Sequence, residues 1–241
     1  MVNYESAIKK PFSDAAKLII GIIISVIPIV NWISTGYALE TSGLGKNKAS
    51  NKMPEWKEVG DLFVKGLASS VIGFVYALPA VLVFVAGIGF AATSLIGTYM
   101  GSVIPEGTVQ SLIAGETTVE AVSQLVSQNW YLALPTLLSL APILLLGVVL
   151  MMVARFVTPI AVLNYLSSKK FSRAFDVSAV LKKSFTMKYF TVWVVATVVT
   201  VIVSALLSLV PMIGASIAMF VGSVISYSMF GEVFRELKGR R

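Results

Sequence analysis

The chain has no cysteine and no histidine among its 241 residues. The first absence excludes disulfides, thiol nucleophiles and thiolate metal sites. The second removes the commonest general base and the commonest transition-metal ligand. Charge is scarce as well, at 13% of residues, about half the share usual in a soluble domain. Also missing are a glycine-rich phosphate loop, a nucleophile elbow, a carboxylate pair spaced for acid–base work and a metal-binding box. The expectation is therefore a non-enzyme with no catalytic, cofactor or metal residues.

What the chain has in abundance is hydrocarbon: 56% hydrophobic residues and a mean hydropathy of +0.86. Long apolar runs with so little charge place it in a bilayer. The N-terminal segment is not expected to be a cleavable signal, because the apolar run after Lys17 is long and has no small-residue cleavage site. The net charge of +7 reads as a topology charge, and no nucleic-acid partner is expected.

The cations are unevenly distributed. Lys9, Lys10 and Lys17 precede the first apolar run, and Lys46, Lys48, Lys52, Lys57 and Lys65 follow it. No Lys or Arg occurs from Gly66 through Ala154, where the polar stretch 99–129 carries only Glu106, Glu116 and Glu120. Basic residues return at Arg155, Lys169, Lys170, Arg173, Lys182, Lys183 and Lys188, then at Arg235, Lys238, Arg240 and Arg241. Short basic loops stay cytoplasmic. This predicts a plasma-membrane protein with residues 99–129 outside and every other polar segment inside. The three acids outside could gather a hard cation weakly or simply lie in a solvated loop.

The predicted fold is all-α: one polytopic transmembrane helical bundle over residues 1–241, with long kinked helices, hairpins and interfacial amphipathic helices. Spans are expected at 62–98, 130–166, 189–210 and 212–231, the last two forming a hairpin turning at Pro211. Each of the first two runs is 37 residues, about 55 Å as one helix, so tilt or kinks at Pro79 and Pro159 are expected. Residues 18–39 are membrane-embedded, either as a re-entrant hairpin interrupted by Pro28 and Asn31 or as an ordinary crossing. Residues 117–130 carry Val119, Val122 and Val126 at helical spacing and suggest a short outer helix.

Three amphipathic helices are expected in the cytoplasmic interface, at 4–17, 53–67 and 169–185. In "MPEWKEVGDLFVKGL" (53–67), Trp56, Val59, Phe63 and Leu67 share one face, and Lys57, Glu58, Asp61 and Lys65 the other. In 169–185, Phe171, Phe175, Ser178, Leu181 and Phe185 oppose Lys169, Arg173, Asp176 and Lys183. Tyr4, Ile8 and Phe12 oppose Glu5, Lys9 and Lys10 in 4–17. Trp56, Lys57, Lys65, Lys169, Lys170, Arg173, Lys182 and Lys183 are the candidates for lipid headgroup contact, although such charges can also serve topology alone. The order apolar run, "GY" or "NY" (Gly36-Tyr37, Asn164-Tyr165), basic loop, amphipathic helix and apolar run occurs twice, a weak internal echo.

Arg155 in "LLLGVVLMMVARFVTPIAVL" is the anomalous charge. It could line a polar cavity with Asn31, Glu40 and Asn164, or reach the headgroups from a tilted helix. Asn31 could serve a substrate or bond the carbonyls that Pro28 frees. Gly214, Ala218, Gly222 and Ser226 recur every four residues and read as a helix-packing stripe, within or between chains.

Gly36-Tyr37, "MPEWKEVGDLFVKGL", "YALPAVLV" (76–83), "FSRAFDVSAVLKK" (171–183) and "GEVFRE" (231–236) together resemble a mainly archaeal membrane family, domain of unknown function 4013. The resemblance implies an archaeal plasma membrane location and no particular activity. Where such relatives carry arginines after the Gly-Tyr pair, this chain has lysines only, in "LETSGLGKNKASNK". The functional reading is a non-catalytic structural, accessory or scaffold protein whose basic face binds lipids or a partner. Lipids, a second copy or another membrane protein are the expected partners. A transporter or channel with a polar path near Arg155 is the alternative, and a lipid-acting enzyme the third class.

Overall fold

The computed structural model describes residues 2–46, 50–207, 209–210 and 213–238. Lys48, Pro211, Met212, Arg240 and Arg241 lie outside the described residues. The described residues are all-α: α1 (Tyr4–Lys9), α2 (Ala15–Val26), α3 (Asn31–Glu40), α4 (Val59–Ser102), α5 (Thr108–Ile113), α6 (Val119–Gln128), α7 (Leu134–Ser168), α8 (Val177–Ser184), α9 (Met187–Leu207) and α10 (Gly214–Lys238). Short 3-10 turns occur at Lys10–Ser13, Trp130–Ala133 and Phe171–Phe175. Four helices are long and apolar enough to cross a membrane: α4, the Trp130–Ser168 stretch containing α7, α9 and α10. α4 runs unbroken through Pro79 for 44 residues, about 66 Å against roughly 30 Å of hydrocarbon.

The chain forms two compact units, one of residues up to Tyr76 together with those from Ala154 on, the other of Ala77–Val153. In the first unit α10 is central. Two thirds of its most apolar stretch is buried, against 17% or less in the other three long helices. The stripe Gly214, Ala218, Gly222 and Ser226 turns toward α9. A Cβ on Gly222 would lie 3.0 Å from Thr200 Cγ2, and one on Gly214 would overlap the Leu207 carbonyl oxygen. Thr200 and Ser226 hydroxyls are 3.1 Å apart.

Residues 18–39 do not cross as one helix. Asp14 caps α2 by accepting from Lys17 N at 3.1 Å. The chain then leaves helical geometry at Ile27 and turns through Pro28, Ile29 and Val30 before α3 begins. The turn is tight enough to force β-branched Ile29 to φ +69°, a conformation such residues avoid. Ser25 Oγ donates to Ser34 Oγ at 2.8 Å and ties the two arms. At 12 and 10 residues the arms are about 18 and 15 Å long, so the pair is a helical hairpin and not one continuous helix.

The expected helix over 53–67 is also corrected. Residues 53–58 are non-helical, and α4 starts only at Val59. Tyr37 accounts for this: its ring stacks on Trp56 at 3.8 Å, and its hydroxyl donates to the Pro54 carbonyl at 2.6 Å. Glu58 then turns the chain at φ +54°. The 4–17 segment breaks similarly, because Asp14 is extended and starts a new helix. Residues 169–185 break at Asp176, whose carboxylate accepts from Ala179 N at 3.1 Å and caps α8. With a helix after the second basic loop and extended backbone in the first, the internal echo is not a structural repeat.

α3 and α4 cross at closest approach where both carry glycine. A Cβ on Gly36 would overlap the Leu62 carbonyl, and one on Gly66 the Trp32 carbonyl. In the second unit, Phe84 lies over Gly147 and Ile143 against Gly87, while Ser94 and Thr136 hydroxyls are 3.0 Å apart. Thr118 caps α6 through Ala121 N at 3.2 Å, and α5 was not expected.

Gly36→Ala and Gly66→Ala should each destabilise the protein by about 1–3 kcal/mol, the usual effect of forcing a methyl into a filled space. Gly97→Ala, with nothing within 4 Å of the added carbon, should leave it unchanged or slightly stabilised. Thermal unfolding of the purified protein in micelles checks all three.

Candidate functional site

The polar chemistry of the first unit gathers where α3 ends. Its last residue, Glu40, is 2% exposed, and its carboxylate pairs with the Lys65 ammonium. Lys65 reaches Asp61 Oδ2 at 2.6 Å one turn back on α4. Asp61 in turn lies 3.5 Å from the Lys46 ammonium, which also pairs with Glu58. Burying a carboxylate is tolerable only with such partners. Gly45 closes over it, since a Cβ there would overlap Glu40 Oε1.

Two further cations hold the carbonyls that α3 leaves unbonded at its C-terminus. Lys10 Nζ donates to the Thr41 carbonyl at 2.9 Å, and Arg235 donates to the Ser42 carbonyl. Lys10 is 5% exposed, a correction to its expected place on a solvated face. Burial pushes its ammonium down to about 8, opposed by Glu232 and reinforced by Arg235.

A second polar group joins α7, α8 and α10. Lys183 donates to Asn164 Oδ1 and sits 4.3 Å above the Phe234 ring. Asn164 Nδ2 and Ser184 Oγ are buried and have no hydrogen-bond partner among the described residues.

The 169–185 segment packs through its small residues and leaves most of its apolar face exposed. Ala174, Val180 and Ser184 are the buried residues, and Lys183 is half-buried. Phe171, Leu181 and Phe185 are exposed, Phe185 at 70%. Lys169, Lys170, Arg173 and Lys182 are exposed beside them. Small residues fit against α4 and α7, where Tyr76 already reaches in to donate to the Ala174 carbonyl at 2.7 Å. The large rings are left outside.

The four residues expected to line one polar cavity are not brought together. Glu40 belongs to the Lys65 network and Asn164 to Lys183. Asn31 is half-exposed and uses its backbone carbonyl, which accepts from Ser34 Oγ at 2.8 Å and Thr35 Oγ1 at 3.1 Å. Its side chain makes no hydrogen bond among the described residues, and the carbonyls of Ile24, Ile27, Pro28 and Ile29 accept from backbone N–H groups instead. Arg155 is exposed on α7. The adjacent Phe156 packs among Phe185, Tyr189, Phe190 and Trp193, while Arg155 itself interacts electrostatically with Tyr227 of α10.

Of the headgroup candidates, Trp56 is clamped against Tyr37, with its indole N–H on the Lys17 carbonyl at 3.4 Å, and Lys65 is spoken for by Glu40 and Asp61. Lys57 is exposed. Glu106, Glu116 and Glu120 are exposed, and among the described residues no three acidic or histidine side chains are placed to hold a metal ion. Lys10, Lys46, Asp61, Tyr165 and Arg235 are the polar-end residues missed from the sequence. The paired glycines of "TSGLGK" were the available sign of a close-packed loop.

These features define an all-α, membrane-embedded protein. The chain matches the family described as Protein of unknown function (DUF4013) over residues 19–212 and belongs to that family. No curated protein and no solved structure matches it.

Replacing Lys65 by Met removes the ammonium from a buried carboxylate and should cost about 3 kcal/mol or more. The double variant Lys65→Met with Glu40→Leu should recover most of that loss. Denaturant unfolding of the four proteins of this cycle measures it.

Proposed function

We propose that this protein is a non-catalytic membrane component, an accessory or scaffold protein, whose basic face rests on anionic headgroups of the cytoplasmic leaflet of the plasma membrane. The observation that carries the reading is the exposed face of 169–185. Phe171, Leu181 and Phe185 point away from the bundle, beside Lys169, Lys170, Arg173 and Lys182. The segment joins two membrane-spanning helices, α7 and α9, so connectivity holds it near the bilayer surface. Five cations against the single Asp176 give it a charge of +4. Apolar rings entering the acyl boundary below a layer of ammonium groups is how an interfacial element binds.

The positive-inside rule puts this face in the cytoplasm and residues 99–129 outside. Arg155, exposed on α7, suits a headgroup contact better than a transport path, since it shares no cluster with Asn31, Glu40 or Asn164. Membrane lipids are the partners, with a second copy or another membrane protein against the exposed apolar flanks of α4, α7 and α9. No nucleic acid is involved.

Protein extracted from membranes of equal neutral and anionic phospholipid should carry an excess of the anionic lipid, measured by mass spectrometry of the co-purifying lipids. Lys170→Gln, Arg173→Gln and Lys182→Gln should each lower that excess, by about five-fold in affinity per cation. Unselective lipid retention by the wild-type protein would contradict the reading.

A further inference from the structure

A cleft of about 220 Å³ opens between the start of α4, the end of α7 and the loop after α3, lined by Gly45, Lys46, Asp61, Lys65, Tyr165 and Lys169, with Leu166. Its wall carries three ammonium groups and one carboxylate, and two further carboxylates, Glu40 and Glu58, pair with Lys65 and Lys46. The charges are not equally committed. Lys46 and Lys65 are held by Asp61, with Glu58 and Glu40 behind them. The Lys169 ammonium and the Tyr165 hydroxyl make no hydrogen bond or ion pair among the described residues. Two fixed cations and two uncommitted donors thus converge on one small space.

Lys169 is also in an unusual conformation. It follows the last residue of α7 at φ +55°, the left-handed position after a helix that glycine normally fills. Any L-residue is strained there, and strain of this kind collects at ligand sites. A glycine would relieve it but would remove the ammonium from the cleft.

We propose that this cleft binds a phosphate ester, with Lys169 and Tyr165 donating to its oxygens beside the ion-paired Lys46 and Lys65. A phosphate group presents several acceptor oxygens and a negative charge to donors and cations. The volume holds a polar headgroup and excludes acyl chains. A basic pocket between membrane helices at their cytoplasmic ends is where anionic lipid headgroups settle, and a free phosphate ester has the same chemistry. The site deepens the lipid-binding reading and rests on it for the position of the cleft in the cytoplasmic leaflet.

The full-length protein in neutral detergent micelles is titrated with dioleoylphosphatidylglycerol, and separately with glycerol 3-phosphate, by native mass spectrometry. The expected result is one saturable site per chain. Lys169→Gln and Lys169→Gly should weaken it about five-fold, and Tyr165→Phe should weaken it in the same direction. Lys169→Gly should at the same time raise the melting temperature, which separates loss of the ammonium from loss of fold. Saturation by the lipid alone identifies a lipid headgroup as the ligand; saturation by both compounds identifies the phosphate ester itself. The combined Lys170→Gln, Arg173→Gln and Lys182→Gln variant should keep the single site while losing general anionic enrichment, so failure of the cleft is distinguishable from failure of the exposed face. Binding that is unchanged in all three cleft variants, or that never saturates, overturns the assignment.

Discussion

An ammonium or guanidinium group in hydrocarbon must either find a partner or reach water, and this constraint orders the whole chain. Between Gly66 and Ala154 there is no cation at all. Several of those elsewhere are used structurally. Lys10 and Arg235 hold the carbonyls after α3, Lys65 neutralises Glu40, and Lys183 lies between Asn164 and Phe234. Such bonds to charged groups are the stronger kind, and they hold a loop of polar backbone against α10 where no regular secondary structure could.

Small residues make this arrangement possible. Gly36 and Gly66 let α3 and α4 meet backbone to backbone, and Gly231 does the same for α10 and the Ser42 carbonyl. A close crossing brings Lys65 within reach of Glu40; a wider one would leave the carboxylate buried and distant from its ammonium. Packing and electrostatics are therefore one problem here. The cleft between Tyr165 and Lys169 and the exposed rings of 169–185 belong to the same unit.

The long spans were legible because an apolar run of about 20 residues has few alternatives. The break at Pro28 was visible, but 22 residues fit a hairpin or a crossing equally; only the contact of Ser25 with Ser34 separates them. Trp56 was misplaced because periodicity over 53–67 records which residues could share a helix face and knows nothing of Tyr37, sixteen residues before Pro54's neighbour Met53. For 169–185 the pattern identified an apolar face, and Phe171, Leu181 and Phe185 on it are exposed; what periodicity missed was the break at Asp176, whose carboxylate caps a new helix. The supposed cavity failed for a related reason: Arg155, Asn31, Glu40 and Asn164 were grouped by their oddity in apolar runs, and each found a separate local solution.

The confinement of cations to one side is tested most directly by placing single cysteines in this naturally cysteine-free chain. Glu116→Cys and Lys57→Cys, both at exposed positions, are treated in intact cells with a membrane-impermeant thiol reagent. The account predicts that the first reacts at once and the second only after the membrane is permeabilised. Equal reaction of both in intact cells would contradict it.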